Sequence, residues 1–142
     1  MRNVMTVDVE DYFQVSALEE RITKDQWSSY RPRVETNTLK LLDLFSRFDG
    51  KATFFVLGWV AERFPALIRK ISENGHEVAS HGPMHDRVSN ESPEDFRIGV
   101  LDTKNRLEDI TGKDVLGYRA PSFSIGPQQT WAWDILADTG HR

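Results

Sequence analysis

Lys51-Ala-Thr-Phe-Phe-Val-Leu57 is an unbroken, β-prone apolar run set between Gly50 and Gly58. Its length and its lack of polar alternation predict a strand buried on both faces, the pattern of parallel sheets covered by crossover helices. The flanks agree. Upstream, Val34 to Phe48 sets Leu41, Leu42, Phe45 and Phe48 at helical spacing, and Gly50 is placed to end that helix. Downstream, Pro65 suits a first helical position, Leu67, Ile68 and Ile71 mark an inner face, and Asn74-Gly75 closes the helix.

The same alternation extends to both ends. Val4, Met5, Val7 and Val9 form a first short strand, and residues 12–34 follow as a long aperiodic excursion with room for one short helix. Val78 and Ala79 mark a third strand. Ser92-Pro-Glu-Asp95 resembles a capping box that opens a long helix with Phe96, Val100, Thr103, Leu107 and Ile110 on one face and Gly112 at its end. Val115-Leu-Gly-Tyr118 reads as a fourth strand, and a last helix is expected over about 128–139. Four β/α units in succession predict an α/β fold with a parallel sheet and right-handed crossovers.

With 142 residues, 39% hydrophobic and 28% charged, the chain has the composition of an ordinary single domain. A net charge of −4 and a pI near 5.5 give no electrostatic reason to expect nucleic acid or an anionic membrane as partner. There is no cysteine, so any metal must be held by histidine and carboxylate. No stretch has the length and apolarity of a membrane span or the form of a signal peptide, so a cytoplasmic location is expected. Homo-oligomerisation is left open.

Reactive residues gather after the strands, where parallel α/β folds place their sites. Asp8, Glu10 and Asp11 follow the first, Arg119 the fourth. Gly75-His-Glu-Val-Ala-Ser-His-Gly-Pro-Met-His85 holds three of the four histidines. Gly82 and Pro83 break any helix between His81 and His85, so the two imidazoles belong to a turn at a strand exit. Such a pair binds a borderline metal at about 2.0–2.1 Å when a third ligand, commonly a carboxylate, is supplied from elsewhere. By itself the pair is weak, since capping or surface histidines share the spacing. His76, just before the strand, reads as a structural hydrogen-bonding residue.

Taken in order, these segments resemble the polysaccharide deacetylases that share the NodB homology domain, a carbohydrate esterase 4-like family. Thr-Val-Asp-Val-Glu-Asp at 6–11 resembles its first motif and Lys-Ala-Thr-Phe-Phe-Val at 51–56 its second strand. Gly-His-Glu-Val-Ala-Ser-His at 75–81, with His85, resembles the metal motif, and Arg-Ala-Pro at 119–121 the third. The nearest likeness is to the branch with Asp-Val-Glu-Asp and Arg-Ala-Pro-Ser-Phe-Ser, which includes deacetylases linked to exopolysaccharide biosynthesis.

The resemblance implies a NodB-type (β/α) barrel of which residues 1–142 are the N-terminal part, about the first four units. It also implies hydrolytic removal of N-acetyl groups from the amino sugars of a polysaccharide or oligosaccharide, dependent on a divalent metal, with zinc expected and other transition metals as alternatives. Asp8 would be the catalytic base and Arg119 would hold it in position. Ser122, standing where the family usually has tyrosine, would offer an N–H to the oxyanion. The metal would take His81, His85 and Asp11, with Glu10 as the alternative to Asp11, because Val9 and Glu10 separate two aspartates that are usually adjacent. The family's late Leu and general-acid His have no match before Arg142, and the context of His141 does not fit. The chain by itself is therefore expected to be weakly active or inactive, and a non-catalytic carbohydrate-binding module is the alternative.

Overall fold

A computed structural model describes residues 4–142. Strands β1 (Met5–Val9), β2 (Ala52–Val56) and β3 (Glu77–Ser80) form a parallel sheet in that order. The helices are α1 (Val34–Arg47), α2 (Gly58–Arg63), α3 (Pro65–Glu73), α4 (Pro93–Thr111) and α5 (Trp131–Asp138). This is the architecture of the first units of a β/α barrel, as expected. The sequence reading lacks α2, a short helix placed directly after β2 and separated from α3 by Phe64 alone.

The register places Asp8 beside Phe55 and Phe55 beside Ala79, and Thr6 beside Thr53 and Thr53 beside Glu77. Because side chains alternate along a strand, these residues share one face while Val7, Val9, Phe54, Val56 and Val78 share the other. The second face is the core, where Phe54 and Val56 are wholly buried among Leu42, Phe45, Leu67, Ile68 and Ile71. Burying one such side chain stabilises by about 1.5–3 kcal/mol. The expectation that β2 is buried on both faces is therefore half right: Thr53 and Phe55 are only partly covered, on the face that carries Asp8. Phe48, which the helical spacing groups with Leu41, Leu42 and Phe45, is 76% exposed because α1 has already ended at Arg47.

Helix α4 packs on α2, α3, β3 and α5, and a smaller cluster of Val88, Phe96, Val100, Ile135 and Leu136 lies between α4 and α5. Its N-terminus follows from sequence: Ser92 Oγ accepts from the Asp95 N–H at 3.1 Å and Pro93 occupies the first turn. The Asp95 carboxylate takes the Ser92 hydroxyl at 2.6 Å, a variant of the usual box.

The expected fourth strand is reduced to a single parallel bridge between Ser80 and Tyr118. Ser80 N–H donates to the Gly117 carbonyl and Arg119 N–H to the Ser80 carbonyl, both at 2.9 Å. Neighbouring backbone groups are engaged elsewhere: Val115 N–H donates to Glu108 Oε1, and the Leu116 carbonyl accepts from Arg142 N–H. Glycine is needed at 117, since a Cβ there would stand 3.0 Å from that of Ala79.

Candidate active site

Three segments meet at the carboxyl ends of the strands. His81 follows β3 directly, its N–H bonded to the Val56 carbonyl at 2.9 Å and its ring buried. Nδ1 lies 2.8 Å from the Arg119 carbonyl. A carbonyl can only accept, so Nδ1 carries the proton and Nε2 is left with a free lone pair. Burial, opposed by that carbonyl and by Asp8 and Glu10, lowers the pKa of His81 below its ordinary value and favours the neutral ring. Gly82, at φ 76°, and His85, at φ 56°, turn the loop back so that the two imidazole centroids lie 5.3 Å apart. A left-handed conformation is strained for histidine, and strain of this kind gathers at functional sites.

The carboxylate beside them is Glu10. One ligand-type atom from each of Glu10, His81 and His85 lies within 4.8 Å of the others. Glu10 Oε2 stands 3.0 Å from His85 Nε2 and 4.0 Å from His81 Nε2. That oxygen is buried and has no hydrogen-bond partner, despite its nearness to His85. A buried oxygen without a donor, facing two imidazoles of which one is fixed as a lone-pair donor, is a set suited to a borderline divalent cation.

Asp11, the expected ligand, is placed otherwise. Its Oδ2 accepts from Arg33 N–H at 2.6 Å and Val34 N–H at 2.9 Å, and Oδ1 from Tyr12 N–H at 3.0 Å. The side chain ties the two ends of the 12–33 excursion together and satisfies the free N–H groups that begin α1. The geometry thus replaces Asp11 with Glu10 beside the histidines. Beyond the last strand residue, backbone alternation no longer decides where a side chain points.

Asp8 and Arg119 are brought together as an ion pair on the open face of the sheet. Arg119 also donates to Thr6 Oγ1 at 2.9 Å and lies over the Phe55 ring at 4.0 Å, so the guanidinium is held on three sides. Asp8, Glu10, His81, His85, Arg119 and Ser122 all line one cleft of about 210 Å³. Ser122 and Phe123 adopt φ 52°, and the Phe123 side chain is 91% exposed at the cleft edge. The sequence reading missed Ser16, which reaches across from the excursion to Ser122 with 2.6 Å between hydroxyl oxygens. No periodic pattern in the excursion signals it.

Two other histidines lie apart from the cleft. His76 Nδ1 accepts from Ala52 N–H at 3.3 Å, and its ring sits between Phe45 and Phe54. His141 is buried, with Nδ1 3.0 Å from Thr139 Oγ1 and its ring edge-on to Tyr118.

A profile of the family described as polysaccharide deacetylase matches residues 22–142. The chain belongs to that family. It is 35% identical over 90 residues to a peptidoglycan-N-acetylglucosamine deacetylase of Bacillus cereus, covering 63% of this chain and 42% of that protein. A chitooligosaccharide deacetylase of Bradyrhizobium is 30% identical over 100 residues, covering 70% and 43%. The chain thus spans less than half the length of these curated relatives. Among solved structures, a CE4 family pseudoenzyme from Bacillus anthracis superposes with TM-score 0.76 at 20% identity, over 97% of this chain and 40% of that one. The Bc1960 peptidoglycan N-acetylglucosamine deacetylase superposes with TM-score 0.71 at 22% identity, over 97% and 53%. At such identities the likeness is one of fold.

Proposed function

We propose that this chain carries the metal-binding and base side of a hydrolase that removes N-acetyl groups from amino sugars of a glycan. The observation that carries the reading is the meeting of Glu10, His81 and His85 beside the Asp8–Arg119 pair in one cleft. Glu10, His81 and His85 would hold a divalent ion, zinc by the chemistry of the donor set. Such an ion supplies a Lewis acid and lowers the pKa of water from 15.7 toward about 7.

The chain's own residues do the rest. Asp8, fixed by Arg119, takes a proton from water as the water oxygen bonds to the acetyl carbon. The Ser122 N–H is the proposed donor to the carbonyl oxygen that gains charge. When the C–N bond breaks, the amine nitrogen needs a proton, and Asp8 can return the one it took. Substrate candidates are N-acetylglucosamine glycans, as the names of the relatives suggest. A second reading, metal and sugar binding without turnover, is favoured by one observation: among the described residues, no histidine besides His81 and His85 lines the cleft to protonate the amine.

Metal analysis after dialysis tests the centre. About one zinc per chain is expected, lost in the His81→Ala, His85→Ala double variant; equal content in both would sink the reading. Amine release from chitin-type oligosaccharides then separates turnover from binding alone. Where turnover is found, Asp8→Asn should keep zinc and lose at least about a hundredfold in rate.

A further inference from the structure

The turn that carries Ser122 is pinned at both ends. Pro121 is buried, and Ser124 Oγ donates to its carbonyl at 2.6 Å while accepting from Val88 N–H at 2.9 Å. Phe123 N–H returns to the Ala120 carbonyl at 3.2 Å. Ser122 stands at the apex, at φ 52° and ψ 28°, a left-handed conformation that a residue with a Cβ keeps only when its surroundings hold it. Its side chain is exposed, so packing does not supply that hold. Among the described residues, the Ser122 hydroxyl has one hydrogen-bond partner, the Ser16 hydroxyl at 2.6 Å, and both residues line the cleft.

Ser16 is the fixed member of this pair. Three residues before it Phe13 is 1% exposed, with its ring against Trp27, Tyr30 and Trp59. Gln14 Oε1 accepts from Asp11 N–H at 2.7 Å, and the Asp11 carboxylate is itself held by three N–H groups. Leu18 N–H closes on the Val15 carbonyl at 3.0 Å, so Ser16 lies inside a hydrogen-bonded turn. The anchored excursion therefore constrains the apex at Ser122, rather than the reverse.

We propose that Ser16 is a positioning residue: its hydroxyl, through that of Ser122, holds the Ser122 N–H in the orientation that meets the acetyl oxygen as it gains charge. The inference rests on the proposed function, in which that N–H is the oxyanion donor. A donor aimed in advance needs no reorganisation during the reaction, whereas a freely turning one must be ordered at that moment. The excursion thus takes part in the chemistry through Ser122, without Ser16 touching the reacting atoms.

The test is a ¹H–¹⁵N titration of the zinc-loaded 142-residue chain with acetate, whose carboxylate carries the charge that the acetyl oxygen only gains in the reaction. Acetate should shift the assigned Ser122 amide signal. Ser16→Ala should weaken acetate by about three- to tenfold, the worth of one neutral hydrogen bond, and shrink that shift. Ser16→Thr, which keeps the hydroxyl, should restore both, and zinc affinity should be the same in the parent and the two Ser16 variants. Ser122→Ala removes the other hydroxyl and keeps the N–H, so the double variant should bind acetate no more weakly than either single one. Where turnover is found, Ser16→Ala should lower kcat by a similar factor at constant KM, since the contact acts as charge develops. An unmoved Ser122 signal in the parent, acetate binding in Ser16→Ala as tight as the parent's or tighter, or additive losses in the double variant would each overturn the inference. Failure of the parent to take up zinc would instead sink the metal-hydrolase reading, so the two failures are distinct.

Discussion

On one face of the sheet Val9, Phe54 and Val56 are closed in by α1 and α3, with the His76 ring against Phe54 and its Nδ1 accepting from Ala52 N–H. On the other face Thr6, Asp8, Phe55 and Arg119 form a polar lattice that stays partly open. Each face serves a different end. The closed face holds the strands in register by burial spread over many side chains. The open face uses that register to fix a few polar atoms, and it contributes little to stability itself.

The comparison breaks most readily at Phe54. Phe54→Ala should destabilise by about 3–5 kcal/mol, since it opens a cavity in a wholly buried position. Arg119→Ala, on the open face, should change stability by under about 1 kcal/mol, because its ion pair is partly solvated. Denaturant unfolding with linear extrapolation compares the two; similar losses would mean the open face also carries the fold.

The adjacent carboxylates Glu10 and Asp11 set the same contrast one residue apart. Asp11→Ala would strand three backbone N–H groups at the base of the excursion and should cost about 2–3 kcal/mol while leaving zinc bound by the folded fraction. Glu10→Gln should leave the unfolding midpoint within a few tenths of a molar in urea and weaken zinc by at least about tenfold. Zinc lost from folded Asp11→Asn and kept by Glu10→Gln would reverse the two roles.

Much of this was legible from spacing. The turn glycines and helical periods place α1, α3 and α4 within a residue or two, and the strand exits gather Asp8, His81, His85 and Arg119 at one rim. The choice between Glu10 and Asp11 was not legible, because it depends on where the chain goes after Val9. That path is set by Arg33 and Val34, whose N–H groups draw the Asp11 carboxylate from 22 and 23 positions away. The fourth strand was over-read for a related reason: Val115 and Leu116 are apolar and β-prone, but Glu108 and Arg142 claim their backbone groups. The Ser16–Ser122 contact spans 106 positions and leaves no local mark.

The smallest effects concern pH, and they differ in sign between the closed face and the segment that follows the histidine loop. His76, on the closed face, has its pKa lowered from 6.5, first by burial and then by Lys51. The unfolded chain binds a proton that the folded chain resists, so this contribution is full above pH 6.5 and is lost as pH falls toward the folded value. Glu91, after the histidine loop, has its pKa raised from 4.5 to about 7 by burial and by Asp86 and Asp95, with Lys24 opposing. Here the folded chain holds the proton more tightly, so the contribution is full below pH 4.5 and is lost as pH rises through about 7. Glu91→Gln should therefore flatten the loss of stability between those two values, and His76→Gln, which keeps an acceptor for Ala52 N–H, should flatten the loss on the acid side of 6.5. Unfolding midpoints at pH 5, 6.5 and 8 in a common buffer series read both slopes. A Glu91→Gln profile parallel to the parent's would show that the carboxyl reaches solvent and that the segment after the histidine loop is looser than the closed face.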